Sequence, residues 1–248
     1  ILFNRSHSLN NILNHAANSL SGFIFAFIST AILTPVIRSF SLRYKLVDKP
    51  EKRKQHKSNI VRLGGLGIFL GLYISILFLN IFGLFQYDHN SFFGLIFISA
   101  PFFFLMGFVD DIFNISPFVR LFFQIILSIT VWNCGFKINN IVINFFFGDD
   151  LSINMVSTIS LIFTVLWITG VTNAINWLDG LDGLATGVVS ISILGMICAA
   201  IGHQNYEYLP ILTSFLGGCL AFLIYNFYPS RIVMGDGGSY LLGFISAT

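Results

Sequence analysis

The stretch FFGLIFISAPFFFLMGFVDD, residues 92–111, decides the architecture. Positions 92–109 carry no charged side chain, and a run of that length approaches the ~20 residues a helix needs to cross a bilayer. It ends abruptly on Asp110-Asp111. Ionisable groups at a membrane boundary cost free energy unless they reach water, a partner or an ion. Two adjacent carboxylates also repel, so a positive group, either a metal or the basic loop at 38–62, is expected nearby. A plain solvated helix end would look the same, so the pair alone settles nothing.

Working outward, similar apolar runs fall at 19–37, 63–85, 118–136, 154–171, 184–201 and 209–228. An eighth begins near Ser239 and stops at Thr248, so the last span reads as truncated, and a start on Ile1 again reads as a fragment. The whole chain is 55% hydrophobic, 16% aromatic and only 10% charged, with a mean hydropathy of +0.82. A soluble domain carries about 25% charged residues, so a water-facing surface is excluded. The expected fold class is all-α, a polytopic transmembrane bundle of about eight spans. With no repeat or linker visible, residues 1–248 read as one membrane domain, incomplete at its C-terminus. Cys134, Cys198 and Cys219 have no metal spacing and read as buried free thiols.

Charge sets the orientation. Of 13 Lys and Arg, nine lie from Arg38 to Arg62, and short loops rich in these residues stay in the cytoplasm. Alternation then puts the segments near Asp110, at 173–183 and at 228–237 on that same side. The outward segment 137–153 contains IVINFFF at 141–147, expected to form a short strand pair or lie on the membrane surface. A net charge of +2 concentrated in one loop reads as a topology signal and anionic-lipid contact rather than, taken alone, a site for phosphate groups, and nucleic acid is not expected as a partner.

Two further clusters share the cytoplasmic side. In NAINWLDGLDG, residues 173–183, the polar groups Asn173, Asn176, Asp179 and Asp182 recur every three positions. On a helix that spacing makes a stripe drifting slowly around one face. Such a stripe suits a cavity, although an interhelical hydrogen-bond seam or a cap at Asp182 would use the same residues. In MGDGGS, residues 234–239, glycines let backbone amides approach an anion, and a helix opening at Ser239 would favour phosphate. Asp236 beside it could hold a divalent ion through its oxygens. No Gly-Lys-Ser/Thr follows, so it is not a P-loop. Five carboxylates, paired asparagines, glycine turns and a basic loop with His56 are the parts that metal-assisted phosphoryl transfer needs.

In order, Asp48-Lys-Pro50, Arg53-Lys54-Gln-His56, Arg62-Leu-Gly64-Gly65, Asp110-Asp111, Asn173 to Asp182 and Met234 to Ser239 resemble the motifs of the polyprenyl-phosphate N-acetylhexosamine-1-phosphate transferases, glycosyltransferase family 4. The resemblance implies transfer of a sugar-1-phosphate from a UDP-N-acetylhexosamine to a polyprenyl phosphate lipid. It implies Mg²⁺ as cofactor, with Mn²⁺ as the alternative ion, and a multi-pass protein of the inner (plasma) membrane with a cytoplasmic site. By the same resemblance Asp236 is the main metal ligand with Asp179 beside it, and Asp110 and Asp111 serve the lipid phosphate. Asn173, Asn176, Asp179 and Asp182 would line the nucleotide pocket. Lys54, His56 and Arg62, with Gly237, Gly238 and Ser239, would meet phosphate or sugar.

Asn114 stands where the muramoyl-pentapeptide branch usually carries Lys. With Arg53-Lys54-Gln55-His56, this points to the branch using UDP-N-acetylglucosamine or a related simple sugar. The competing readings are the UDP-MurNAc-pentapeptide phosphotransferase and a transporter using intramembrane carboxylates, with a homodimer as an allowed assembly. A transporter should place its acids near the midplane rather than at helix ends.

Overall fold

A computed structural model of the chain describes residues 2–44, 61–84, 92–138 and 153–248. Its elements are α1 (Leu2–Arg43), α2 (Gly65–Ile81), α3 (Phe92–Phe113), α4 (Pro117–Asn133), α5 (Ile153–Leu178), α6 (Leu184–Gly202), a 3-10 turn (Tyr206–Tyr208), α7 (Leu209–Asn226) and α8 (Gly235–Ala247). No strand occurs among the described residues. The segment 141–147, Lys54 and His56 lie outside them.

Each of the seven full apolar runs lands on a helix. Five helical stretches are long and apolar enough to cross a membrane: Asn14–Arg43, Gly94–Phe113, Asn154–Leu178, Leu184–Gly202 and Tyr206–Asn226. α2 and α4 are apolar helices of 17 residues each, about 26 Å long at 1.5 Å per residue. The protein is therefore a polytopic helical membrane protein. Its outer surface agrees, with Phe118 87%, Ile81 77% and Ile191 72% exposed, as lipid-facing side chains should be.

α8 lies at the centre of the bundle. Every residue from Gly237 to Phe244 is buried. Leu242 joins a core with Ile68, Leu72, Phe215 and Phe222 on the α2 and α7 side. Leu241 and Phe244 join a second core with Phe103, Phe104 and Ile168 on the α3 and α5 side. Glycines permit this burial. A Cβ on Gly65 would strike the backbone of Gly238, and one on Gly107 would strike the Asp236 carbonyl, so α2 and α3 press backbone to backbone against α8. Lipid tails are as apolar as leucine, so such close van der Waals contact is what holds membrane helices together.

Two helix ends differ from expectation. α5 runs to Leu178, seven residues past 171, so Asn173 and Asn176 are helical. α8 begins at Gly235 rather than Ser239. Gly235 takes φ 79°, a left-handed conformation open to glycine, and a carboxylate from α3 then satisfies the first helical amides.

Candidate active site

That carboxylate is Asp111. Its Oδ1 accepts from the Asp236 amide and its Oδ2 from the Gly237 amide, both at 2.9 Å. The first amides of a helix have no partner within it and form the positive end of its dipole. Asp111 supplies both the acceptors and the opposite charge, fixing the first turn of α8 and with it the Asp236 side chain.

Its neighbour Asp110 turns elsewhere and is 4% exposed. One oxygen accepts from the Ile115 amide at 2.7 Å and the other from Arg120 Nη1 at 2.6 Å. Asn114, at φ 50°, takes the left-handed position after α3, a conformation asparagine tolerates. Arg120 continues to Asp236, whose Oδ2 lies 3.7 Å from Nη1. The positive partner of Asp110 is an arginine on α4 and not the basic loop that the sequence pointed to, and the chain Asp110–Arg120–Asp236 crosses three helices.

The four polar residues of the stripe go to different partners, and only Asn173 and Asn176 lie on α5. Asn173 donates to Gln124 Oε1 on α4 at 2.6 Å, the interhelical seam among the expected alternatives. Asn176 donates to Asp236 Oδ1 at 2.6 Å and to Ser239 Oγ at 2.8 Å. Past the helix end, Asp179 Oδ2 accepts from the Gly235 amide at 3.1 Å and Asp182 Oδ2 from the Ser230 amide at 3.0 Å. Asn176 and Asp179 thereby face the site, Asn173 is spent on the α4–α5 contact, and Asp182 anchors the segment leading to α8.

Arg62, Asp111, Asn176, Asp179, Gly180, Val233, Gly235 and Asp236 line a cleft of about 180 Å³. Burial pushes the Asp236 carboxyl up to about 6, with the Asp110 charge adding to the shift. Burial also raises Asp179 well above the usual carboxylate range, helped by the charges of Asp236 and Asp111. The described cations beside these carboxylates are Arg62, which lines the cleft, and Arg120. Among the described residues, no three His, Cys, Asp or Glu side chains form a ready-made metal cage. The donor set nonetheless fits Mg²⁺, which takes one or two carboxylates and completes its shell with water and substrate phosphate. Gly237 and Gly238 are buried, with the Gly237 amide given to Asp111 and Gly238 packed on Gly65 and Met234. Ser239 is fully buried and bonded to Asn176.

Arg120 and Gln124 escaped the sequence reading, although a lone Arg and a Gln inside an apolar run are signals in themselves. Asn226, buried where α7 ends and also inside an apolar run, escaped it likewise.

These features define a class: a multi-pass helical membrane protein with an acidic cleft at the ends of its helices. The chain belongs to glycosyl transferase family 4, whose profile matches residues 92–248, from α3 to the end and including all five site carboxylates. It is 31% identical over 223 residues to the Bacillus subtilis (strain 168) protein named "Probable undecaprenyl-phosphate N-acetylglucosaminyl 1-phosphate transferase", covering 90% of this chain and 59% of that protein. It is 29% identical over 245 residues to the "Phospho-N-acetylmuramoyl-pentapeptide-transferase" of Acetivibrio thermocellus, covering 94% of this chain and 71% of that protein. A Pasteurella multocida "Undecaprenyl-phosphate alpha-N-acetylglucosaminyl 1-phosphate transferase" is 32% identical over 114 residues, 46% of this chain and 29% of that protein. The chain thus spans little more than half the length of the first of these relatives.

Proposed function

We propose that this protein transfers N-acetylglucosamine-1-phosphate from UDP-N-acetylglucosamine to polyprenyl phosphate at the cytoplasmic face of a bacterial inner membrane. An oxygen of the lipid phosphate forms a bond to the sugar-linked phosphorus. The bond from that phosphorus to the UMP oxygen breaks, and UMP leaves with the electron pair. The products are polyprenyl-diphospho-N-acetylglucosamine and UMP. The observation that carries this reading is the convergence of Asp111, Asp179 and Asp236 with Arg62 on one cleft at membrane helix ends. The nine Lys and Arg from Arg38 to Arg62 support the cytoplasmic orientation.

Asp236 and Asp179 are the residues suited to hold Mg²⁺ or Mn²⁺, which when bound would neutralise diphosphate charge and withdraw density from phosphorus. Asp110 is committed to the Ile115 amide and Arg120, which favours an orienting role over that of a free base. A strong base is not needed, because a phosphate monoester is already largely dianionic near pH 7. Arg120, held between Asp110 and Asp236, keeps a positive charge beside the carboxylates. Arg62 lines the cleft where phosphate or sugar would lie, and Lys54 and His56 are assigned to the same task.

The test uses membranes expressing the full-length gene, sugar-labelled UDP-N-acetylglucosamine, polyprenyl phosphate and Mg²⁺. Label should enter the organic-extractable lipid and disappear with EDTA and in Asp236→Asn. The likeness to the Acetivibrio protein makes UDP-MurNAc-pentapeptide the second donor, and label from it alone would move the chain to that branch. No transfer from either donor by correctly inserted protein would overturn the reading.

A further inference from the structure

The cleft has two walls that are distant in sequence. One is the 179–183 turn after α5, which carries Asp179 and Asp182. The other is the 227–235 connection, which delivers Asp236. Asn226, the last residue of α7 and 3% exposed, touches both. Its Oδ1 accepts from the Gly183 amide at 3.1 Å and from Thr186 Oγ1 at 3.3 Å. Its Nδ2 donates to the Ile232 carbonyl at 3.0 Å. Gly183 sits at φ 72° where the chain turns into α6.

From Ile232 the bonding continues without a gap. The Val233 amide donates to the Val61 carbonyl at 2.9 Å, and the Gly64 and Gly65 amides donate to the Val233 and Met234 carbonyls at 3.0 and 2.7 Å. The Gly235 amide then reaches Asp179 Oδ2 at 3.1 Å, back on the first wall. Asn226 closes this ring with a single side chain that both donates and accepts. An asparagine oxygen has two lone pairs, and both are taken, so Asn226 has no acceptor left for a ligand.

We propose that Asn226 is a positioning residue that holds the Asp179 turn and the segment bearing Asp236 at the spacing the reaction needs. Its kinetic consequence rests on the transferase reading; its structural consequence does not. In Asn226→Asp both acceptor bonds survive, the donor is lost, and a carboxylate faces the Ile232 carbonyl. The test is hydrogen–deuterium exchange on the full-length protein in detergent, paired with steady-state kinetics. Amides 233–237 should exchange about tenfold faster or more, as local opening predicts, while Gly183 stays protected. Under the same change kcat should fall about 10- to 100-fold, the scale of a misplaced catalytic group, with KM for the UDP-sugar within about threefold. Asn226→Ala should release both segments, and Asn226→Asp carries the test if the alanine variant does not fold. Unchanged exchange at 233–237 would overturn the proposal. So would a raised KM at constant kcat, which would mean direct contact with the donor. If no variant and no wild-type protein transfers sugar phosphate, the exchange result still decides the role of Asn226 while the transferase reading falls.

Discussion

The acidic cleft at the start of α6 and an apolar cavity at its far end differ in how their walls are held. The cavity, about 290 Å³, is lined by side chains such as Leu72, Phe97, Ile193, Phe215 and Ile245. Its shape rests on van der Waals contact, which many similar side chains could supply. The cleft is smaller, about 180 Å³, yet its carboxylates are bonded one by one to particular amides on another element. Volume therefore does not locate the chemistry. A site that must place charge accurately is recognised by fixed polar groups, since each has few acceptable positions when shielded from water.

The largest expected effect lies in the cleft. Asp236→Asn should lower lipid-linked label by about 1,000-fold or more, the scale of losing a transition-state electrostatic group. It keeps the side chain's size, so a comparable loss from a cavity substitution such as Phe215→Leu would erase the contrast between the two regions.

Asp111→Asn should act mainly through structure. One amide bond can be kept, but the new NH₂ group faces the Gly237 N–H and the charge at the helix start is gone. A cost of about 2–3 kcal/mol is expected, seen as a lower unfolding temperature in detergent, with activity falling as α8 loosens. Full stability with no activity would instead place Asp111 in contact with substrate.

The pH response sharpens the comparison further. The folded-state value of Asp236, about 6, lies above its ordinary 3.8, and Asp179 is raised as well. A raised carboxylate favours the folded state while protonated, so this stability is present below about pH 4 and is lost as pH rises through about 6. In EDTA the unfolding temperature should therefore drop between pH 4 and 7. Asp236 contributes about 1–2 kcal/mol once its 29% exposed side chain is allowed for. Mg²⁺ at pH 7 should restore what was lost, and Asp236→Asn should flatten the curve. A pH-independent unfolding temperature in EDTA would mean that burial and neighbouring charge do not raise these carboxyls in the folded protein.

The smallest effect is expected at the cavity. Phe215→Leu, an apolar change of moderate volume, should cost about 1–2 kcal/mol of stability and leave transfer within about twofold of wild type per folded molecule. A large change in KM for the lipid would show that the cavity takes part in the reaction.

How far the sequence could be read follows from the range of the interactions involved. The seven apolar helices were legible because bilayer thickness imposes a minimum apolar length on each spanning helix independently. Asn176, Asp179 and Asp236 were legible because polar groups in such a setting need a reason. The division of labour between Asp110 and Asp111 was not. Adjacent helical side chains point about 100° apart, and which one meets Arg120 and which one meets α8 depends on helices from other parts of the chain. Arg120 was readable as a charge inside an apolar run, but its partners were not.

By itself, then, the sequence determined a multi-pass helical bundle and the family its charged motifs resemble, both of which depend on composition and local order. Tertiary structure alone decided that Asp111 caps α8, that Arg120 joins Asp110 to Asp236, and that Asn226 ties the two cleft walls. Those contacts link residues 6 to 126 positions apart. The seat of α8 beside Asp111 also uses backbone-to-backbone approaches at Gly65 and Gly107, which no local pattern encodes.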